Sequence, residues 1–317
     1  MPEHEQMVNS ILELCCITES QRRNLLDKQH LNIAGDGTKL PTHSSRFGKK
    51  ICKCDCKKCD CDRFYNDLDA SVGYDSYRET YVFGYNFYQV NSWHDKNELP
   101  IYLMMATGKR HDASLGMYAM HRITHRGYNV DNACFDSAHD CTEFYMLARD
   151  AWDTNFFIPL NTTNQGNLKN LPMAYIDAEG IPHCQGGYQM YYSGYCKDRD
   201  RIKWRCPIKA CKKNQSKTCD FIDTCSSSSY GRVVYTHPDD NPRLFPTIPR
   251  SSEKWKKIYD KRTSAERVFK REKDDFNLKL FKTYSKERLL FYSLLTAITV
   301  HLETWFHQDY GDVEEPD

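Results

Sequence analysis

This 317-residue chain has no phosphate-cradling glycine-rich loop, no dinucleotide fingerprint and no Ser/His/Asp order, and only 15 of its residues are glycine. The common nucleotide-binding and serine-hydrolase chemistries therefore have no signature here. No internal repeat is present, which excludes solenoids and propellers. The N-terminal MPEHEQMVNS has acids and no apolar stretch, so no signal peptide is expected, and a reducing, cytoplasmic (nucleoid-associated) setting is. No clean apolar run of membrane length occurs either. LLFYSLLTAITVHL follows Arg288 and is interrupted by His301 and Glu303, so it is expected to be a buried core helix, with no membrane partner.

Net charge is also nearly absent, at +1, yet this balance hides two basic runs. Residues 197–217 hold nine Lys or Arg against two Asp, and residues 253–273 hold nine against four acids. A basic run is usually a solvated face. Flanking Trp204 and Trp255, these two point to a phosphate-backbone surface. A hydrophobic content of 40% with 13% aromatics describes a globular chain, and a mean hydropathy of -0.74 describes one with a polar surface.

The pattern along the chain predicts a helix over 11–28, a short strand over 31–37 that ends at Asp36, and two hairpin-linked strands over 81–93 and 101–108. A helix capped by Asp112 follows, then a strand over 132–137 with Asp136 at its end, a helix over 138–152 and a strand over 154–161. From 161 to about 250 regularity fails. SEKWKKIYDKRTSAERVFKREKDDFNL then runs 27 residues without Pro or Gly, which predicts one long helix. This order indicates an α/β fold with a mixed sheet flanked by helices and a Cys-rich insertion between the second Asp and the late Glu. The expected organisation is a helical segment over 1–30 and a core over 31–160 with a Cys-rich loop at 49–64. A basic insertion over 161–250, helices over 251–308 and an acidic tail over 309–317 complete it.

Fifteen cysteines in a cytosolic chain of this size point to metal or buried thiols, not disulfides. The candidate structural zinc ligands are Cys52, Cys54, Cys56, Cys59 and Cys61 in the first cluster, and Cys206, Cys211, Cys219 and Cys225 in the second. Cys184 and Cys196 lie upstream of the second cluster. The charges between the first five need water, so these sulfurs cannot all be core, and a site shared between the clusters stays open. The second cluster's spacings are looser than those of a paired C-x2-C ribbon.

Asp36 and Asp136 each follow an apolar strand, where loops project functional groups. Glu266 lies on the late helix. Three carboxylates from separate elements suit two divalent hard cations, which keep waters and leave positions for phosphate. Such a pair activates a water or a 3′-hydroxyl and stabilises the leaving oxygen. On a helical wheel Tyr259, Arg262, Glu266 and Lys273 return to one stripe, with Val268, Phe269 and Phe276 opposite to pack the helix down. Each acid alone is more often a turn residue or a cap. His111 could orient a carboxylate but is more often an exposed helix-start residue, and His139 and Asp140 could assist metal binding but are more often caps of the next helix.

This stripe spells Y-x2-R-x3-E-x6-K. With DGT at 36–38, CFDS at 134–137, YDSYRETYVFGY at 74–85 and ATGKRHDAS at 106–114, it resembles the DDE transposases of bacterial insertion sequences over roughly residues 30–306. The resemblance implies an RNase H-like fold, with Asp36, Asp136 and Glu266 binding two Mg2+ or Mn2+ ions. Tyr259, Arg262 and Lys273 would contact DNA near the scissile phosphate. It further implies cleavage at insertion-sequence ends, transfer of the freed 3′-hydroxyl to target DNA, and a homodimer in the synaptic complex. Only about 35 residues precede Asp36, where relatives carry a DNA-binding domain. A truncated or inactive fragment that binds DNA or dimerises as an inhibitor is therefore a second expectation, and a zinc-dependent DNA-binding module a third.

Overall fold

The computed structural model describes residues 2–55, 59–76, 78–161, 176–210, 219–222 and 224–311. In chain order the first elements are α1 (Pro2–Leu12), a π-type stretch (Glu13–Ile17), α2 (Thr18–Arg22), β1 (Leu31–Pro41), β2 (Lys49–Lys50) and β3 (Arg63–Phe64). Next come β4 (Ser71–Asp75), β5 (Thr80–His94), β6 (Asn97–Thr107), α3 (Asp112–His125) and β7 (Val130–Cys134). They are followed by α4 (Thr142–Asp150), β8 (Asn155–Phe157), β9 (Tyr191–Cys196), β10 (Arg201–Arg205), α5 (Pro207–Ala210) and β11 (Val233–Thr236). The last helices are α6 (Glu253–Tyr259), α7 (Thr263–Lys270) and α8 (Lys286–Tyr310). The fold is mixed α/β with a mixed sheet, and the chain divides into two compact units: Met1–Val130 with Arg262–Asp317, and Asp131–Lys261.

In the first unit β5 is the central strand. It is buried without a break from Gly84 to Ser92, the mark of a strand covered on both faces. One edge pairs with β1 along nearly its whole length, from Ile33↔Ser92 to Pro41↔Gly84. The other edge is shared by β4, up to Ser71↔Gly84, and β6, from Tyr85↔Thr107 onward. Helices α1 and α8 pack on β6, and α7 packs on β1, β5 and β6. Asn9 of α1 makes a two-way amide bond to β6, donating to Leu103 O at 2.7 Å and accepting from Leu103 N at 2.9 Å.

His301 of α8 closes the same strand. Its Nε2 faces Pro100 O at 2.8 Å. A carbonyl only accepts, so Nε2 carries the proton and Nδ1 accepts from Ser20 Oγ at 2.8 Å. Trp305 Nε1 donates to that same hydroxyl oxygen. Burial pushes His301 down to about 4, so the ring is neutral and its bonds are those of a structural residue. These side chains satisfy backbone groups that an edge strand would otherwise offer to another chain. By length and composition α8 passes for a membrane span. It buries Leu289, Leu290, Leu294, Ala297 and Val300 and leaves Phe291, Leu295, Leu302 and Phe306 exposed, so the expected core burial holds for one face.

The first helix begins at Pro2 and ends at Arg22, not over 11–28. β1 does not end at Asp36. Its ladder with β5 carries it through Gly37 and Thr38 to Pro41, because cross-strand pairing overrides the local turn preference of Asp-Gly. The hairpin between β5 and β6 is a tight turn at Asp95 and Lys96, with Asp95 at φ 53°, where a seven-residue connection is expected. α3 is capped by His111, whose Nδ1 accepts from Ala113 N at 3.3 Å, and Asp112 is its first residue.

In the second unit β7 and β8 are parallel, with Ala133 opposite Phe156. The stretch expected to be irregular holds an antiparallel sheet in the order β11-β10-β9. It has its own small core of Ile181, Met190, Ile202, Trp204, Leu244 and Phe245. β10 alternates strictly: Ile202 and Trp204 turn inward while Arg201, Lys203 and Arg205 take the other face. Basic residues at every second position disguise this strand in the sequence as a solvated run.

The expected long helix over 252–278 is interrupted twice. A 3-10 turn separates α6 from α7 at Asp260–Arg262, and α7 ends in a π-type stretch at Arg271–Asp275. Both change the angular step per residue, so the wheel that aligns Tyr259, Arg262, Glu266 and Lys273 does not hold as drawn. Val268 and Phe269 are buried as expected, with Phe269 edge-on to Phe87 of β5 at 5.7 Å.

Candidate metal centre and acidic cluster

Cys52, Cys54, Cys59 and Cys61 bring their sulfurs within 4.8 Å of one another, the one such group of three or more candidate ligands among the described residues. β2 and β3 pair Lys49 with Phe64 and Lys50 with Arg63, and this short ribbon closes the loop that carries them. The sulfur separations are 3.1 Å for Cys52 and Cys54, 3.5 Å for Cys52 and Cys59 and 4.0 Å for Cys54 and Cys61. A tetrahedral zinc with Zn–S bonds of about 2.3 Å needs sulfurs about 3.8 Å apart. The set can therefore hold a metal such as zinc.

Hydrogen bonding with Cys52 and Cys54, with the charge of Cys52 adding to it, pushes the Cys61 thiol up to about 11. Lys50, which donates to Cys54 O, adds positive charge beside them. Among the described residues the candidate ligands come as two C-x-C steps; Cys56 lies outside the described residues, as does Cys211. Four sulfurs complete a tetrahedral shell, so the group needs no ligand from the second cluster. Cys206, Cys219 and Cys225 line a pocket of the second unit.

The acids are held differently. On β1 the alternation of a strand separates two faces. Asp36 and Thr38 share a face with their cross-strand partners Gln89 and Phe87, and this face receives the α7 segment. Lys273 Nζ donates to Thr38 Oγ1 at 2.7 Å and lies 5.4 Å from the centre of the Phe269 ring. Burial lowers the pKa of Lys273, and the Asp36 carboxylate is the largest influence raising it again. Gly37 and Lys39 occupy the other face with Asn86. There the Asp112 carboxylate accepts from Asn86 Nδ2 at 2.5 Å and fills the space of a side chain at residue 37. A Cβ on Gly37 would lie 2.4 Å from Asp112 Oδ1, so a larger residue here must push the Asp112 carboxylate off Asn86.

Glu266 stands on α7 with its side chain 52% exposed and accepts from Arg262 Nη2 at 2.5 Å. An exposed i,i+4 pair of this kind contributes about 0.5 kcal/mol, so a cation or phosphate can readily displace it. In the second unit Asp136 caps the turn Ser137–His139, accepting from Ala138 N at 3.1 Å. Its Oδ1 is also 2.6 Å from Nδ1 of the buried His139, whose ring stacks on Phe135. His139 therefore orients Asp136. Asp140 accepts from Arg243 at 2.5 Å and from Asn161 N at 2.6 Å, a structural role. Tyr259 stacks on Trp255 at 4.6 Å.

Glu272 is the residue that sequence reasoning missed, because an acid within REKDD looks like part of a solvated charge run. The π-type stretch turns it into the core, where it is fully buried against Gln89. Burial pushes it up to about 8. The Gln89 side-chain amide lies 3.1 Å from the carboxyl and offsets part of this rise. Above the ordinary carboxylate pKa the unfolded chain has lost this proton while the folded one keeps it, so stability falls as pH rises from about 4.5 to about 8. Glu272→Gln is expected to flatten the dependence by up to about 1.4 kcal/mol per pH unit, as read by urea titrations across that range. An unchanged slope would place the proton elsewhere.

Compared with known proteins, the chain matches no family model, and no curated protein is significantly similar to it.

Proposed function

We propose that the chain is a DDE-type transposase whose RNase H-like core cleaves DNA at insertion-sequence ends and joins the freed 3′-hydroxyl to target DNA. The observation that carries the reading lies within the first unit: α7 and its π-type extension lie over the sheet face that bears Asp36, with Glu266 on the helix and Lys273 bonded beside Asp36. That is the combination of acid, acid and ammonium that the Y-x2-R-x3-E-x6-K resemblance calls for. Asp36, Glu266 and Asp136 are the proposed ligands of two Mg2+ or Mn2+ ions, which would supply Lewis-acid activation of the attacking oxygen and stabilise the leaving one. Lys273 grips a phosphate oxygen, and Arg262 does so once its pairing with Glu266 is exchanged for a cation. Tyr259, braced on Trp255, offers its ring and hydroxyl to the nucleic acid. The active form is a homodimer acting on two DNA ends in the nucleoid.

The test is relaxation of supercoiled plasmid by the purified chain with Mg2+, Mn2+ or EDTA, followed by strand transfer of labelled ends. Nicking that needs the divalent ion and is lost in Asp36→Asn supports the reading. Absence of divalent-dependent nicking overturns it.

A second reading, a zinc-dependent DNA-binding module, is favoured by the four-cysteine group and by β10. The guanidinium of Arg205 lies 3.2 Å from the Tyr230 ring and that of Arg201 3.8 Å from the Tyr235 ring, with Lys203 Nζ 4.9 Å from Tyr230. Stacking fixes these cations on one strand face, as a phosphate backbone requires. Both readings predict that Arg201→Ala with Arg205→Ala weakens binding to plasmid DNA and lowers the slope of log K against log salt by about 2. Titrations at several salt concentrations measure it, and an unchanged slope removes β10 from the interface. Salt-dependent binding without nicking favours the module.

A further inference from the structure

Three loops of the second unit meet at one pocket, and each brings cysteine to it. Cys184 opens a tight turn, its N donating to Tyr188 O and its O accepting from Gly187 N, both at 2.9 Å. Gly187 sits at φ 77° with open space around it, so this turn needs the left-handed conformation that glycine adopts at low cost. Cys206 leaves β10, donates its N to Arg232 O at 2.8 Å and begins the single turn of α5. Cys219 and Cys225 bracket a third turn, with Ile222 N bonded to Cys219 O and Cys225 N to Phe221 O. All four line the same pocket with Ile208, Phe221 and Ile222, beside Lys209 and Arg232.

We infer that Cys184, Cys206, Cys219 and Cys225 form a second thiolate site for a zinc-class metal ion, separate from the Cys52–Cys61 group. Neither that group nor the strand-cleavage reading enters this inference. Four soft donors on separate loops around a common space match the composition of a closed structural site. Backbone approaches closely at two of them: a Cβ on Gly186 would lie 3.1 Å from Cys219 Sγ, and one on Gly231 would lie 2.8 Å from Cys206 Cβ. Lys209 and Arg232 offset the charge of a four-thiolate centre.

The loops also need a cross-link. Their own apolar interior is the six-residue core around Trp204, which is small for a segment of this length. The sulfurs ring a pocket and are not gathered as tightly as those of Cys52–Cys61; binding draws the three loops together, each cysteine giving up its thiol proton to become a ligand. The ligand set differs from the four sequence-nearest cysteines in taking Cys184, which is 22 residues from Cys206.

Native mass spectrometry and elemental analysis of the full chain, purified with reductant, test the site. The wild type is expected to carry two zinc ions per chain. Cys184→Ser and Cys219→Ser each reduce this to one, and Cys196→Ser leaves it at two. Because misfolding could also lose metal, Co2+ titration of Cys184→Ser provides a second readout: the remaining equivalent must still show the tetrahedral thiolate spectrum of the Cys52–Cys61 group. A wild type with one zinc that is lost in Cys52→Ser overturns the inference. So does a Cys184→Ser protein that keeps two, or a chain lighter by four hydrogen atoms from two disulfides with no metal in the second unit.

Discussion

Replacing Asp36 by Asn is expected to lower divalent-dependent DNA nicking at least ~10³-fold, about 4 kcal/mol of transition-state stabilisation, and Glu266→Gln to do the same. Asn keeps the shape and the local bond that Asp36 Oδ1 accepts from Gly37 N at 2.8 Å, so β1 and its ladder with β5 should persist. What it loses is the negative charge that a hard cation requires. The same charge holds up the pKa of half-buried Lys273, so Asp36→Asn should lower that pKa further, a shift that chemical modification of Lys273 against pH can read. Glu266→Gln tests the helix independently, since it disturbs only an exposed pair with Arg262. Circular dichroism and thermal melting should show both variants folded. Nicking retained within tenfold in a folded Glu266→Gln protein would remove Glu266 from the metal set.

The second large effect concerns the first cysteine group. Cys54→Ser leaves three sulfurs around a site built for four, and zinc affinity is expected to fall by several orders of magnitude. In small zinc domains the full site contributes about 10–16 kcal/mol of apparent binding energy, much of it folding energy. The ribbon that closes the loop between β2 and β3 is two residues wide on each side and its residues are exposed. Limited proteolysis should therefore cut between Lys50 and Arg63 in the variant, and in the wild type only after chelation. Equal protection with and without chelator would show that the sulfurs do not depend on metal. Since these cysteines are not among the proposed ligands of the divalent ions, nicking by Cys54→Ser reports whether the loop serves catalysis or stability.

Much of the architecture was legible in the sequence. The strands β5, β6, β7 and β8 and the helices α3 and α4 lie near where the sequence placed them, but β7 ends at Cys134, short of Asp136, and β8 ends at Phe157, short of 161; Val268 and Phe269 are buried as periodicity requires. The C-x-C steps announced a metal-capable loop, because sulfurs separated by charged residues in ten positions cannot be core. Basic charge in 197–217 was equally plain, but its strand was not, since β10 hides its alternation by placing Arg and Lys on the outer face and only Ile202 and Trp204 within.

Composition and local spacing by themselves determined a mixed α/β chain, its two cysteine-rich segments, its basic segments and its candidate acids. Only the tertiary structure decided what depends on partners distant in sequence. Pairing with β5 carried β1 past Asp36, and the π-type stretch drove Glu272 into the core while setting Lys273 against Thr38. His139 came to orient Asp136, and Cys184 joined a pocket with Cys206, Cys219 and Cys225. Each of these outcomes follows from burial and cross-strand bonding, whose energies outweigh the local preferences that a sequence displays.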